Sequence, residues 1–136
     1  MFNLSHSGDW ILLAVSDTEI GIDIEYINSQ FKYNDILPDY FIEPEIKFIQ
    51  QNLSDDRFFM HWTRKESLAK ALGTGLDSQL KDFPSLNGEH FINKLIIPAQ
   101  NNWLISSFYL NSNYIASLAT NTIITESKFW EFSFLN

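Results

Sequence analysis

Ile20-Gly21-Ile22-Asp23-Ile24-Glu25-Tyr26-Ile27 alternates with a period of two. Ile20, Ile22 and Ile24 fall on one side, and Gly21, Asp23 and Glu25 on the other, as in a strand with one buried face. Upstream, Trp10-Ile11-Leu12-Leu13-Ala14-Val15 is an apolar run of strand length, and Ser16-Asp17-Thr18-Glu19 reads as a turn. The two runs predict an antiparallel hairpin with one wet face. Residues 28–38 look irregular. A short helix is expected over Glu43 to Gln51, with Pro44 in its first turn. Ser54 or Asp55 is positioned to cap a longer helix through Phe58 to about Leu72, and Gly73-Thr74-Gly75 stops it. Phe58, Trp62, Leu68, Ala69 and Leu72 share one broad side of that helix. Three strand candidates follow, His90–Ile97, Trp103–Leu110 and Tyr114–Ala119, while Ile123 to Leu135 reads as an edge strand or a packed tail. The order β-β-α-α-β-β-β is an α+β pattern, a mostly antiparallel sheet packed against a long helix.

The chain has 136 residues, so residues 1–136 are expected to form a single domain. With 45% apolar residues it can bury a core, and with no cysteine it has neither disulfides nor thiolate chemistry. Nine basic residues against seventeen acidic ones give a net charge of −8. That balance argues against a nucleic-acid backbone binder and against a protein held on anionic membranes. No apolar run approaches the roughly 20 residues that span a bilayer, and no signal peptide is visible, so a cytoplasmic setting is expected.

Asp23 and Glu25 lie two apart in a strand, so both carboxylates emerge on one face, about 6–7 Å apart at the backbone. Two readings stand at this point: an exposed polar face, or a site for a hard cation such as Mg²⁺. Glu66 and Lys70, four apart on the long helix, read either as a helix-surface salt bridge or as part of a site. Trp62, one turn earlier, puts all three in a stripe beside the apolar face. If that stripe flanks the Asp23 strand, three carboxylates could share one Mg²⁺ while Lys70 faces phosphate oxygens. Ser5-His6-Ser7-Gly8 reads either as ordinary surface or as an anion-binding turn. His61 and His90 have no ligand-like spacing, and neither a dinucleotide-binding nor a P-loop motif occurs.

Three stretches carry a family resemblance: Phe2-Asn3-Leu4-Ser5-His6-Ser7, Gly21-Ile22-Asp23-Ile24-Glu25, and Trp62-Thr63-Arg64-Lys65-Glu66-Ser67-Leu68-Ala69-Lys70 with its Ala71-Leu72-Gly73-Thr74-Gly75-Leu76 exit. In order and spacing the sequence resembles the 4′-phosphopantetheinyl transferases. It is more similar to the second lobe of the two-lobed Sfp-type than to the small holo-acyl-carrier-protein synthase type. The likeness covers residues 2–76 well, and residues 77–119 only in coarse strand pattern. It implies Mg²⁺-dependent transfer of the phosphopantetheine arm of coenzyme A to a serine of an apo acyl or peptidyl carrier protein, releasing adenosine 3′,5′-bisphosphate. Residue by residue, it implies Asp23, Glu25 and Glu66 as metal ligands, with Glu66 also the candidate general base. Lys70 would contact the pyrophosphate and stabilise the leaving group. Ser5 and His6 would lie near the 3′-phosphate of coenzyme A, and Lys65 near another phosphate. Trp62 looks like packing.

Two features depart from that pattern. The two-lobed members are much longer, and the Ser-His motif here begins at residue 5, so the first lobe is expected to be absent. A homo-oligomer (dimer or trimer) or a missing-lobe partner would then complete the cleft. The charge of −8 also repels acidic coenzyme A and acidic carrier proteins at long range. Alongside autonomous transfer stand two alternatives: a weak or inactive remnant that binds Mg²⁺ and coenzyme A, and a non-catalytic interaction subunit or one part of a split transferase.

Overall fold

A computed structural model describes residues 1–51, 54–75, 80–86, 88–91 (backbone alone), 102–122 and 126–133. Strands β1 (Phe2–Ser7) and β2 (Trp10–Val15) form a two-stranded antiparallel sheet. A second sheet carries β3 (Ile20–Tyr26), β4 (Gly88–Phe91), β5 (Asn102–Asn111) and β6 (Tyr114–Thr120) in the order β3-β6-β5-β4, antiparallel throughout. Between them come the short helix α1 (Leu37–Tyr40), α2 (Glu43–Gln50) and the long α3 (Asp56–Leu72), with single 3₁₀ turns at Tyr33–Asp35 and Leu80–Asp82. This is the expected α+β class with the long helix on an antiparallel sheet.

Several local expectations change. The opening stretch is a strand, so the hairpin is β1–β2, closed by a two-residue turn whose Gly8 has φ +54°. The segment Ile20–Tyr26 pairs with β6 instead of with Trp10–Val15, with Asp23 opposite Ser117. Nor has it a wet face: Gly21, Ile22, Asp23 and Ile24 are all buried. Asp55 occupies the cap position of α3 without a side-chain capping bond, and Ser54 hydrogen-bonds Asp56 instead. Gly73, at φ +67°, ends that helix as expected, its N–H donating to Lys70 O. The described part of the tail, 126–133, forms no strand; residues 92–97 of the His90–Ile97 strand, Leu76, and Phe134 and Leu135 lie outside the described residues.

The second sheet is covered on both faces. On one, Ile24, Tyr114 and Ala116 pack against Trp10 and Leu12 of the hairpin. On the other lies α3, its Leu68 and Ala69 clustering with Trp103, Ile105 and Ala119. Phe58 and Phe59, from the first turns of the helix, join Leu37, Phe41, Ile49 and Ile115 of β6 in a further core. From Phe58 to Ala69 every residue of α3 is buried except the half-buried Met60 and Trp62, which a single apolar stripe does not convey. Thr63 meets the sheet through a buried hydroxyl chain, 2.7 Å to Ser117 and on to Ser107 at 2.8 Å.

Gly21 sets how closely α3 approaches β3. A Cβ there would collide with Ser67 O and Ala71 N, both backbone atoms of the helix. Gly21→Ala should therefore cost about 3 kcal/mol by overpacking. Urea unfolding of the variant checks this; an unchanged midpoint would mean that α3 does not lie on Gly21.

Candidate functional site

Gly21, Asp23 and Glu25 share the β3 face that lies under α3, and α3 answers with Trp62, Glu66 and Lys70 at four-residue spacing. The sequence stripe thus flanks the strand that carries the carboxylates. Lys70 Nζ donates to Asp23 Oδ1 at 2.6 Å, Ser5 Oγ at 2.9 Å and Ile22 O at 3.3 Å. It is an ion pair across two elements, not the i,i+4 pair with Glu66.

Burial pushes the Asp23 carboxyl up, against the lowering influence of Lys70 and Ser5. Glu25 is pushed up to about 6, first by burial and then by the Asp23 charge. Glu66 is pushed up to about 7, by burial and then by Asp23, with Lys70 opposing and Glu25 adding to the rise. The three carboxylates therefore feel one another, and one lysine does not neutralise them. Asp23 Oδ2 is buried without a hydrogen-bond partner. That orphaned lone pair, in an all-oxygen donor set with excess negative charge, fits a hard divalent cation. Among the described residues no three acidic or histidine side chains form a ready-made metal cage.

The Ser-His-Ser motif is divided by strand alternation. Ser5 is buried and donates to Asp23 Oδ1 at 2.9 Å, and Ser7 donates to Glu25 Oε2 at 3.2 Å. Both hydroxyls are thus turned toward carboxylates. His6 points the other way, exposed beside Ile11 on the outer face of the hairpin. Among the expected phosphate contacts, Ser5 thus belongs to the acidic cluster and His6 stands apart from it.

Lys65 also stands apart. Its side chain is 0% exposed, and Nζ lies 3.0 Å from Glu45 Oε2, 2.6 Å from Phe83 O and 3.0 Å from Leu80 O. Glu45 in turn accepts from Ser85 Oγ at 2.5 Å, which meets His61 Nδ1 at 2.6 Å. An ammonium enclosed in this way has no donor to offer a phosphate; Lys65 pins the 80–83 turn to α2 and α3. Burial lowers the His61 pKa to about 4, so that imidazole is neutral and structural, as its spacing suggested.

One feature was missed altogether. A groove of about 410 Å³ is lined by Glu25 and Glu66 together with Tyr26, Phe31, Phe58 and Trp62. Trp62, read as packing, lines it and also stacks on Phe58 at 5.8 Å. Phe31 comes from the stretch that looked irregular, which carries no periodic signal to reveal it.

A model of the 4′-phosphopantetheinyl transferase superfamily matches residues 19–119, from just before β3 to the end of β6. The chain belongs to the 4′-phosphopantetheinyl transferase superfamily. Among curated relatives it is similar to 4′-phosphopantetheinyl transferase HetI of Nostoc sp., 29% identical over 97% of this chain and 56% of that protein. The transferase gsp of Aneurinibacillus migulanus is 40% identical over 60% of this chain and 35% of its own length. The transferase of Bacillus subtilis is 40% identical over 60% of this chain and 37% of its own. The chain thus spans about half the length of the full-coverage relative and matches smaller shares of the others. Within this family context the acidic cluster is the candidate active site.

Two predictions arise from this geometry. A raised carboxylate pKa means that the folded state binds protons more tightly than the unfolded chain. The stability Glu66 contributes is then present below its ordinary pKa of 4.5 and lost as pH rises through about 7. In metal-free buffer, Glu66→Gln should gain stability over the parent across that window and hold a constant advantage above it, read from urea midpoints at each pH. Lys65→Met should cost about 3–5 kcal/mol by leaving Glu45 buried without its cation. A loss below about 1 kcal/mol in the same urea assay, the ordinary worth of an exposed pair, would contradict a buried structural role.

Proposed function

We propose that the acidic cluster of β3 and α3 transfers the phosphopantetheine arm of coenzyme A to a carrier-protein serine. The observation that carries this reading is the junction itself: Asp23 and Glu25 on one strand meet Glu66 and Lys70 on the helix, with Asp23 Oδ2 buried and unpartnered. Family membership supplies the reaction class.

Asp23, Glu25 and Glu66 would hold Mg²⁺, which when bound screens the charge of the phosphoryl oxygens. The serine oxygen forms a bond to the β-phosphorus as the bond to the bridging oxygen breaks, and adenosine 3′,5′-bisphosphate departs with that oxygen. Glu66 accepts the serine proton; a carboxylate drawn up toward neutrality is matched to that task. Lys70, its side chain 28% exposed, meets the pyrophosphate by giving up its longest bond, to Ile22 O. His6, free on the hairpin surface, remains a contact for a distal phosphate. The aromatic groove beside Glu66 receives the less polar part of the substrate or of the carrier. Phe2, Leu4, Ile11, Leu13 and Val15 are exposed on the outer face of the hairpin, an apolar surface for a second copy or a partner lobe that completes the cleft. A cytoplasmic setting would suit a reaction of coenzyme A with carrier proteins; among the described residues no helix is long and apolar enough to cross a membrane.

Purified protein incubated with Mg²⁺, coenzyme A and a panel of apo carriers should add one phosphopantetheine arm to a carrier, read as intact mass. Chelation should abolish the gain, and Glu66→Gln should reduce its rate at least about a hundredfold. No gain on any carrier, beside a full-length transferase active on the same panel, would favour a remnant or one part of a split enzyme.

A further inference from the structure

β3 is an edge strand of its sheet, yet its outward N–H groups are not left open. Three side chains of β1 accept them in register. Asn3 Oδ1 takes Ile22 N–H at 2.9 Å, Ser5 Oγ takes Ile24 N–H at 3.4 Å, and Ser7 Oγ takes Tyr26 N–H at 3.0 Å. Positions 3, 5 and 7 share one face of β1, so the hairpin docks by a ladder of side chains where a neighbouring strand would use its backbone.

The residue types along the ladder follow what they face. Asn3 acts beside Gly21, which has no side chain to bind. Each serine acts beside a carboxylate, and only a hydroxyl can accept an N–H and donate onward with the same atom. Ser5 donates to Asp23 and Ser7 to Glu25. Ser5 is shared with Lys70, whereas Ser7 has the Tyr26 N–H on one side and Glu25 Oε2 on the other. An N–H held on the lone pair turns the hydroxyl hydrogen toward the carboxylate and removes its rotational freedom.

We propose that Ser7 is a positioning residue, a hydroxyl anchored on the β3 backbone that fixes the Glu25 carboxylate for a divalent cation. This deepens the metal reading above and rests on it. Ser7 reaches no substrate atom; it acts through Glu25. Groups that orient a metal ligand commonly change metal affinity about 10–100-fold when removed.

The experiment titrates Mg²⁺ alone into the full chain by calorimetry and reads the thermal midpoint of the metal-free protein alongside. Ser7→Ala should weaken Mg²⁺ binding about tenfold, and Ser7→Thr, which keeps the hydroxyl, should restore it. Asn3→Ala removes the equivalent rung at Ile22 where there is no carboxylate. It should lower the midpoint while leaving Mg²⁺ affinity unchanged. If Ser7→Ala fails to fold, Ser7→Cys preserves the volume with a poor donor and should show the same loss of affinity. Unchanged affinity in the folded serine variant, or an equal loss in Asn3→Ala, overturns the positioning role while the metal site stands. Absence of Mg²⁺ binding by the parent chain, or binding undiminished in Glu25→Gln, overturns the metal reading and this inference with it.

Discussion

The site depends on a backbone-to-backbone approach between β3 and α3. Gly21 has no Cβ, and the space one would fill holds Ser67 O and Ala71 N. Because the helix can lie that close, Lys70 reaches Asp23 at 2.6 Å, and Glu66 enters the field of two strand carboxylates. A strand and a helix that share no sequence neighbourhood become one acidic surface through the smallest residue in the β3 pattern.

That surface is costly in a chain already at −8. Three carboxylates are held partly out of water, and burial rather than a partner is the largest influence on each. Lysine and serine offset part of the cost, yet Asp23 Oδ2 remains unsatisfied. A fold meeting only its own needs would be better served by neutral residues there, since buried unpaired groups cost stability. The arrangement becomes reasonable once a ligand supplies positive charge. The hairpin contributes to the same end: it closes the β3 edge and orders the carboxylates with the same hydroxyls.

A second buried charge has a different purpose. Lys65 and Glu45 are enclosed with Ser85 and His61, and almost every polar atom of the group has a partner. One helical step separates Lys65 from Glu66, and that rotation is enough to send one side chain into a structural network and the next to the candidate site. On a helix of 3.6 residues per turn Lys65 falls on the side that Phe58, Leu68, Ala69 and Leu72 share, whereas Lys70 falls beside it.

Much of the fold was legible in the chain. Period-two alternation located β3, helical spacing and the Gly73 stop located α3, and the Trp62–Glu66–Lys70 stripe marked the helix face that meets the strand. These are local properties, set by the geometry of one element. Strand partners are not local. The apolar run 10–15 pairs with the opening strand, and β3 pairs with β6, because edge hydrogen bonds are satisfied by whatever the tertiary packing brings beside them. The same reason hid the turning of Ser5 and Ser7 toward carboxylates, the enclosure of Lys65 and the aromatic groove that Phe31 helps to form. The sequence by itself determined which residues carry charge and which face of an element each occupies. Only the tertiary structure decided which faces meet, because burial and pairing depend on atoms far away along the chain.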